Sequence, residues 1–137
     1  MANNVSQWRL FRIVVLAIWV FFALVLTTQT DHVPVVHLMA STIGSTDLGD
    51  ALGHAGLFGM LAGVGYVTLA TRLTPPRALL LAMIFALVVG TSTELFQIMV
   101  AGRSSSLSDM LANWLGVFVV GFVACYRQVV MSPKIVR

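Results

Sequence analysis

Four stretches of this chain are apolar for long enough to cross a lipid bilayer, and that fact limits the folds open to it. A spanning helix needs roughly 20 mostly apolar residues, within a range of about 17–25, to match the hydrocarbon core. The runs at about 10–28, 51–71, 78–100 and 107–126 meet this requirement. Little else remains in the 137 residues. Only 9% of the chain is charged, against about 25% in an ordinary soluble domain, and the mean hydropathy is +0.94. The fold class expected is therefore an all-α membrane protein: a four-transmembrane-helix bundle forming one integral membrane domain over residues 1–137.

The first run is the weakest, because its uninterrupted apolar core covers only Ile13 to Leu26. Read as a secretory signal peptide, it would use Arg9 and Arg12 as its basic flank. The sequence LVLTTQTD that follows offers no A-x-A-like cleavage site, and bulky Leu24 to Leu26 stand where small residues are needed. The run is thus expected to be a span.

Basic residues set the orientation. Arg9 and Arg12 precede the first run, Arg72 and Arg77 lie in the TRLTPPRA turn between the second and third, and Arg127, Lys134 and Arg137 follow the fourth. With four spans all seven fall on one side, which the positive-inside rule makes cytoplasmic. Both termini are then cytoplasmic, and only Arg103 lies opposite. Asp31, Asp47, Asp50, Glu94 and Asp109 all sit at or beyond the outer ends of the runs. The outer loop, 29–50, holds no Lys or Arg, and its HVPVVHLMASTIG segment suits the membrane interface. A net charge of +3 would suggest nucleic acid in a soluble protein. Here the placement of the charges explains it, and no nucleic-acid partner is expected.

The outer end is polar to a degree that such a chain must account for. Asp50 and His54 are four apart and share a helix face, as do Glu94 and Gln97, three apart, and Asp109 and Asn113, four apart. Arg103 and Ser104 lie in the loop joining the last two runs. Ionisable groups at this depth are costly, and they pair, face the bundle interior or line a wet cavity. One reading is an outward-opening pocket. In it Arg103 offers a bidentate fork for phosphate or carboxylate, His54 holds or moves a proton beside Asp50, and Glu94 acts as a base or as the counter-ion of Arg103. The other reading is structural. Ser106 with Asp109 matches a capping box, Asp50 suits a first helical turn, Asn113 and Gln97 serve as interhelical hydrogen-bond glue, and Glu94 with Arg103 forms a plain ion pair.

No metal is expected. His32 and His37, five apart in the outer loop, lack further ligands at suitable spacing, and the single Cys125 lies in an apolar run as small filler. Gly49, Gly53, Gly56, Gly59 and Gly63 stud the second run, with small-xxx-small spacing at 49/53 and 59/63 that lets helix backbones approach. The spacing does not say whether the neighbour is within the chain or another membrane subunit docking through Gly53, Gly56, Gly59 and Gly63.

These motifs together resemble the VanZ-like family of small bacterial membrane proteins. The elements are D-x-x-x-H at Asp50 and His54, E-x-x-Q at Glu94 and Gln97, and G-R-S-x-S-L-x-D-x-x-A-N from Gly102 to Asn113, with Gly116 beyond. The likeness covers roughly half the chain, 50–121. It departs from the family where Ala51 replaces a Lys that commonly follows the Asp, and where AGLFG replaces an aromatic-rich stretch after the His. The family's namesake is linked to resistance against lipoglycopeptide antibiotics, and no catalytic activity attaches to the family as a whole. The resemblance implies a protein of the bacterial cytoplasmic membrane with a polar site at its outer face.

Three functions compete. The first is a binding module for an anionic ligand such as a lipid-linked phosphate, held by Asp50, His54, Glu94, Gln97, Arg103, Ser104, Asp109 and Asn113. The second is an accessory or assembly subunit of a larger membrane complex. The third is an intramembrane hydrolase, for which the sequence shows no nucleophile elbow, no HExxH and no catalytic carboxylate pair. An enzyme is the least favoured, and no cofactor is expected.

Overall fold

A computed structural model of the chain describes residue 8 and residues 10–21, 47–99 and 106–131. All four elements among them are helical: α1 (Leu10–Phe21), α2 (Asp47–Leu69), α3 (Pro75–Gln97) and α4 (Leu107–Met131). Three of these, α2, α3 and α4, are long and apolar enough to cross a membrane. The described part of α1 is a shorter apolar helix, and the rest of the run expected at 10–28 lies outside the described residues. The same holds for most of the outer loop, for His32 and His37, and for Arg103 and Ser104.

The second and third helices start three or four residues before their apolar runs because helix boundaries follow hydrogen bonding as well as hydropathy. Thr74 takes the N-cap position of α3 with extended backbone angles, φ −62° and ψ 145°, and prolines fill the first helical positions. Proline loses nothing there, since its missing N–H would have no intrahelical partner. One turn back, α2 closes with Arg72 N–H on the Leu69 carbonyl at 2.9 Å and Leu73 N–H on the same carbonyl at 3.0 Å. The result is a tight α2–α3 turn with Arg72 and Arg77 both exposed.

The three long helices pack against one another, most extensively α2 against α4. Small residues make that possible. A Cβ on Gly116 would overlap the Ala55 carbonyl oxygen, and one on Gly59 would lie 3.0 Å from the Gly116 carbonyl oxygen. The fully buried core is modest: Phe58, Leu61, Ala62, Ala86 and Val117, with Leu16, Trp19 and Val20 of α1 packed against it. The Trp19 indole N–H also donates to the Leu57 carbonyl at 3.1 Å, tying α1 to α2. Large side chains such as Phe122 (74% exposed) and Leu115 (61%) face outward, the arrangement expected where lipid takes the place of water.

Candidate functional site

The buried polar side chains are Thr93, Glu94, Gln97 and Asn113, all at one end of the helices. That end is the one the charge pattern assigns to the outer leaflet. Thr93 is locally satisfied, its hydroxyl donating to the Gly90 carbonyl at 2.8 Å. The other three belong to a larger arrangement.

Asn113, 1% exposed, sits two turns beyond the Ser106 position that opens α4, where the Ser106 carbonyl accepts the Met110 N–H at 3.2 Å. Its amide nitrogen faces two acceptors on α3, the Glu94 Oε1 at 3.3 Å and the Gly90 carbonyl at 3.4 Å. Its Oδ1 lies 2.9 Å from His54 Nδ1 on α2. Because the amide nitrogen is committed to acceptors, the oxygen is what meets the imidazole, so His54 Nδ1 carries the proton and donates it. One side chain thereby joins three helices. Gly90 lets it in: a Cβ there would stand 3.3 Å from Asn113 Cβ and 3.2 Å from Phe58 Cδ1.

His54 is nearly enclosed, with 11% of its side chain exposed, and Nδ1 also lies 3.7 Å from Glu94 Oε1. Its other nitrogen points toward the helix end, where Nε2 is 4.0 Å from Asp50 Oδ1, and the Asp50 side chain is 55% exposed. Asp109 approaches from α4: Asp50, His54 and Asp109 each present one ligand atom, all within 4.8 Å of one another. Asp109 is also close enough to act on the charge of Glu94. The Glu94 carboxylate is 3% exposed, and its Oε2 has no hydrogen-bond partner among the described residues. The Ser106 N–H approaches this carboxylate without closing a hydrogen bond to Oε2. A buried polar atom left unpaired costs about 1–3 kcal/mol, and such atoms call for an explanation in terms of function or an ion.

Of the eight residues singled out by sequence, the structure brings Asp50, His54, Glu94, Asp109 and Asn113 into one cluster, with Gln97 buried on the same α3 face as Glu94. Arg103 and Ser104 lie outside the described residues. Sequence reasoning missed the role of Gly90 and the pairing of the Trp114 indole N–H with Thr91 Oγ1 at 3.2 Å, which fixes α4 against α3 beside Asn113. Thr91 and Trp114 lie within long apolar runs, where only the tertiary pairing marks them. Compared with protein-family models, curated proteins and solved structures, the chain matches none of them.

Proposed function

We propose that this chain is a VanZ-like protein of the bacterial cytoplasmic membrane whose outward-facing polar site binds an anionic envelope or lipid-linked ligand at headgroup depth. The observation that supports a ligand site is the Glu94 carboxylate, buried at one end of three helices with Oε2 unpaired among the described residues and Oε1 tied through Asn113 to His54. Such an oxygen calls for a partner; it would accept from a hydroxyl or N–H of the ligand, while the anionic group falls to Arg103. Asn113, Gln97 and His54 supply polar contacts. Arg103, three residues before Ser106 in the chain, supplies the fork that suits phosphate or carboxylate. Among the described residues the Nδ1 hydrogen bond of His54 goes to Asn113 and not to a serine hydroxyl, so no nucleophile–base pair stands among them.

An accessory-subunit reading draws on a different observation. Gly53 and Gly56 are exposed, with nothing within 4 Å of the position a Cβ would take, so this face of α2 is uncovered by the described residues. Gly59, in contrast, already serves the α2–α4 contact inside the chain.

One experiment separates the two. The protein is extracted gently from its native membrane, as wild type and as Arg103→Ala, and whatever stays bound is identified by mass spectrometry. A phosphate-bearing lipid present with wild type and lost from the variant supports the binding site. Stoichiometric protein partners retained by both, with no such lipid, overturn it in favour of the accessory subunit.

A further inference from the structure

Three electron-pair donors converge from two helices at the polar end of the bundle. With Nδ1–H committed to Asn113 Oδ1 at 2.9 Å, the neutral imidazole of His54 has its lone pair on Nε2. That lone pair faces Asp50, and the ligand atoms of Asp50, His54 and Asp109 all lie within 4.8 Å of one another. We propose that Asp50, His54 and Asp109 form a site for one divalent metal cation of the zinc class, with Asn113 and Glu94 orienting the histidine from behind.

Four physical points support it. A metal-bound histidine characteristically donates its second N–H to an oxygen acceptor, which fixes the tautomer and the ring plane; Asn113 Oδ1 performs that role here, and Asn113 is itself held by Glu94. The donor set of one imidazole nitrogen and two carboxylate oxygens suits zinc and its neighbours in the first transition row. Ligand atoms about 2.0–2.2 Å from a tetrahedral zinc stand roughly 3.4 Å apart. The present separations, 4.0 Å between His54 Nε2 and Asp50 Oδ1 and no more than 4.8 Å for any pair, close to that only if Asp50, whose side chain is 55% exposed, and Asp109 both turn toward Nε2. Finally, Glu94, 3% exposed with an unpaired oxygen, lies against the histidine at 3.7 Å and feels the charge of Asp109. A cation at Nε2 would offset part of the negative charge that the buried Glu94 carboxylate brings to the histidine.

The inference rests on the binding reading for the location of the pocket alone, and it changes what that pocket presents to an anion. A cation held by three protein ligands keeps one position open, where it would give an incoming phosphate or carboxylate a positive contact.

The test uses the untagged full-length chain in detergent, stripped with a chelator and delipidated, then titrated with Zn²⁺ alone. The expected result is one Zn²⁺ per chain. Asp50→Asn and His54→Gln each weaken binding at least tenfold, and Asn113→Leu weakens it by about 10–100-fold, the range for loss of an outer-shell partner. Co²⁺ in place of Zn²⁺ should give a visible absorption band that His54→Gln abolishes. Because Asp50 is exposed, Asp50→Asn retains the fold even where a buried substitution does not, and its helicity is checked by circular dichroism. A His32→Gln/His37→Gln chain should bind as wild type does. Failure of wild type to bind, equal binding by wild type and Asp50→Asn, or loss of binding in the His32→Gln/His37→Gln chain overturns the proposal. None of these outcomes depends on lipid retention, so the fate of the lipid in Arg103→Ala is read separately.

Discussion

Asn113 is the residue on which the polar end of the bundle depends. It bonds to both other long helices, its oxygen accepting from His54 and its amide donating to Glu94 and Gly90. Replacing it by leucine keeps the volume but strands the His54 N–H and the Glu94 Oε1. At about 1–3 kcal/mol for each stranded buried group, Asn113→Leu should lower the thermal midpoint of the purified protein by several degrees. A midpoint unchanged from wild type would mean the network is not formed as described. Glu94→Gln makes the complementary prediction. It keeps an acceptor for Asn113 and replaces the unpaired Oε2 by an amide nitrogen, so its unfolding stability should stay within about 1 kcal/mol of wild type, the cost typical of one exchanged hydrogen bond. A large destabilisation would show that the carboxylate charge itself is needed in the fold. The polar types at these positions were legible in the sequence, since Glu, Gln and Asn on apolar helices stand out. Which of them pair was not, because helical spacing places residues on a face and says nothing of what that face meets.

Among the elements, the α2–α4 contact sets the geometry of the site. Ala55 and Gly59 on α2 meet Gly116 on α4 with almost no room between backbones, one residue beyond His54 and one turn beyond Asn113. A methyl group at Gly116 must push the helices apart, and overpacking of this kind costs about 1–3 kcal/mol. Gly116→Ala should therefore destabilise the protein and, by lengthening the His54–Asn113 bond, reduce whatever the pocket binds. Gly53→Ala has open space around it, and alanine is the better helix former by about 1 kcal/mol. It should be neutral or stabilising in the isolated chain, as read by thermal unfolding, and a loss of co-purifying partners on the same substitution would place an interface there. The glycine spacing on α2 correctly marked that helix as one others approach. It did not separate Gly59, which meets Gly116, from Gly53 and Gly56, which meet no other described residue. That distinction depends on helix rotation, and the decisive partner, Gly116, shares its small-xxx-small spacing with Ala112 and not with another glycine.

At the scale of the molecule, polarity runs against the pattern of a soluble fold: large apolar side chains face outward while Glu94, Gln97 and Asn113 are buried. The three helices long and apolar enough to cross a membrane follow directly from apolar length, which is why they were legible without any tertiary information. The first run is a different matter. Its described helix, Leu10–Phe21, is shorter than the other three, yet it carries Trp19 into a hydrogen bond with Leu57 and packs Leu16 and Val20 on the core, contacts that a span beside α2 would make. Four spans put the N-terminus on the same side as the α2–α3 turn; if α1 does not cross, the N-terminus falls on the side of Ser108. Single cysteines at Asn3, Arg72 and Ser108, each introduced into a Cys125→Ser chain, resolve the question when whole cells are treated with a membrane-impermeant maleimide. Ser108→Cys should label and Arg72→Cys should not, as the exposed arginines of that turn face the cytoplasm under the positive-inside rule. Asn3→Cys should stay unlabelled until the cells are permeabilised. Labelling of Asn3→Cys in intact cells would reduce the bundle to three spans. Labelling of Arg72→Cys with protection of Ser108→Cys would invert it, turning the polar site toward the cytoplasm and removing envelope ligands from consideration.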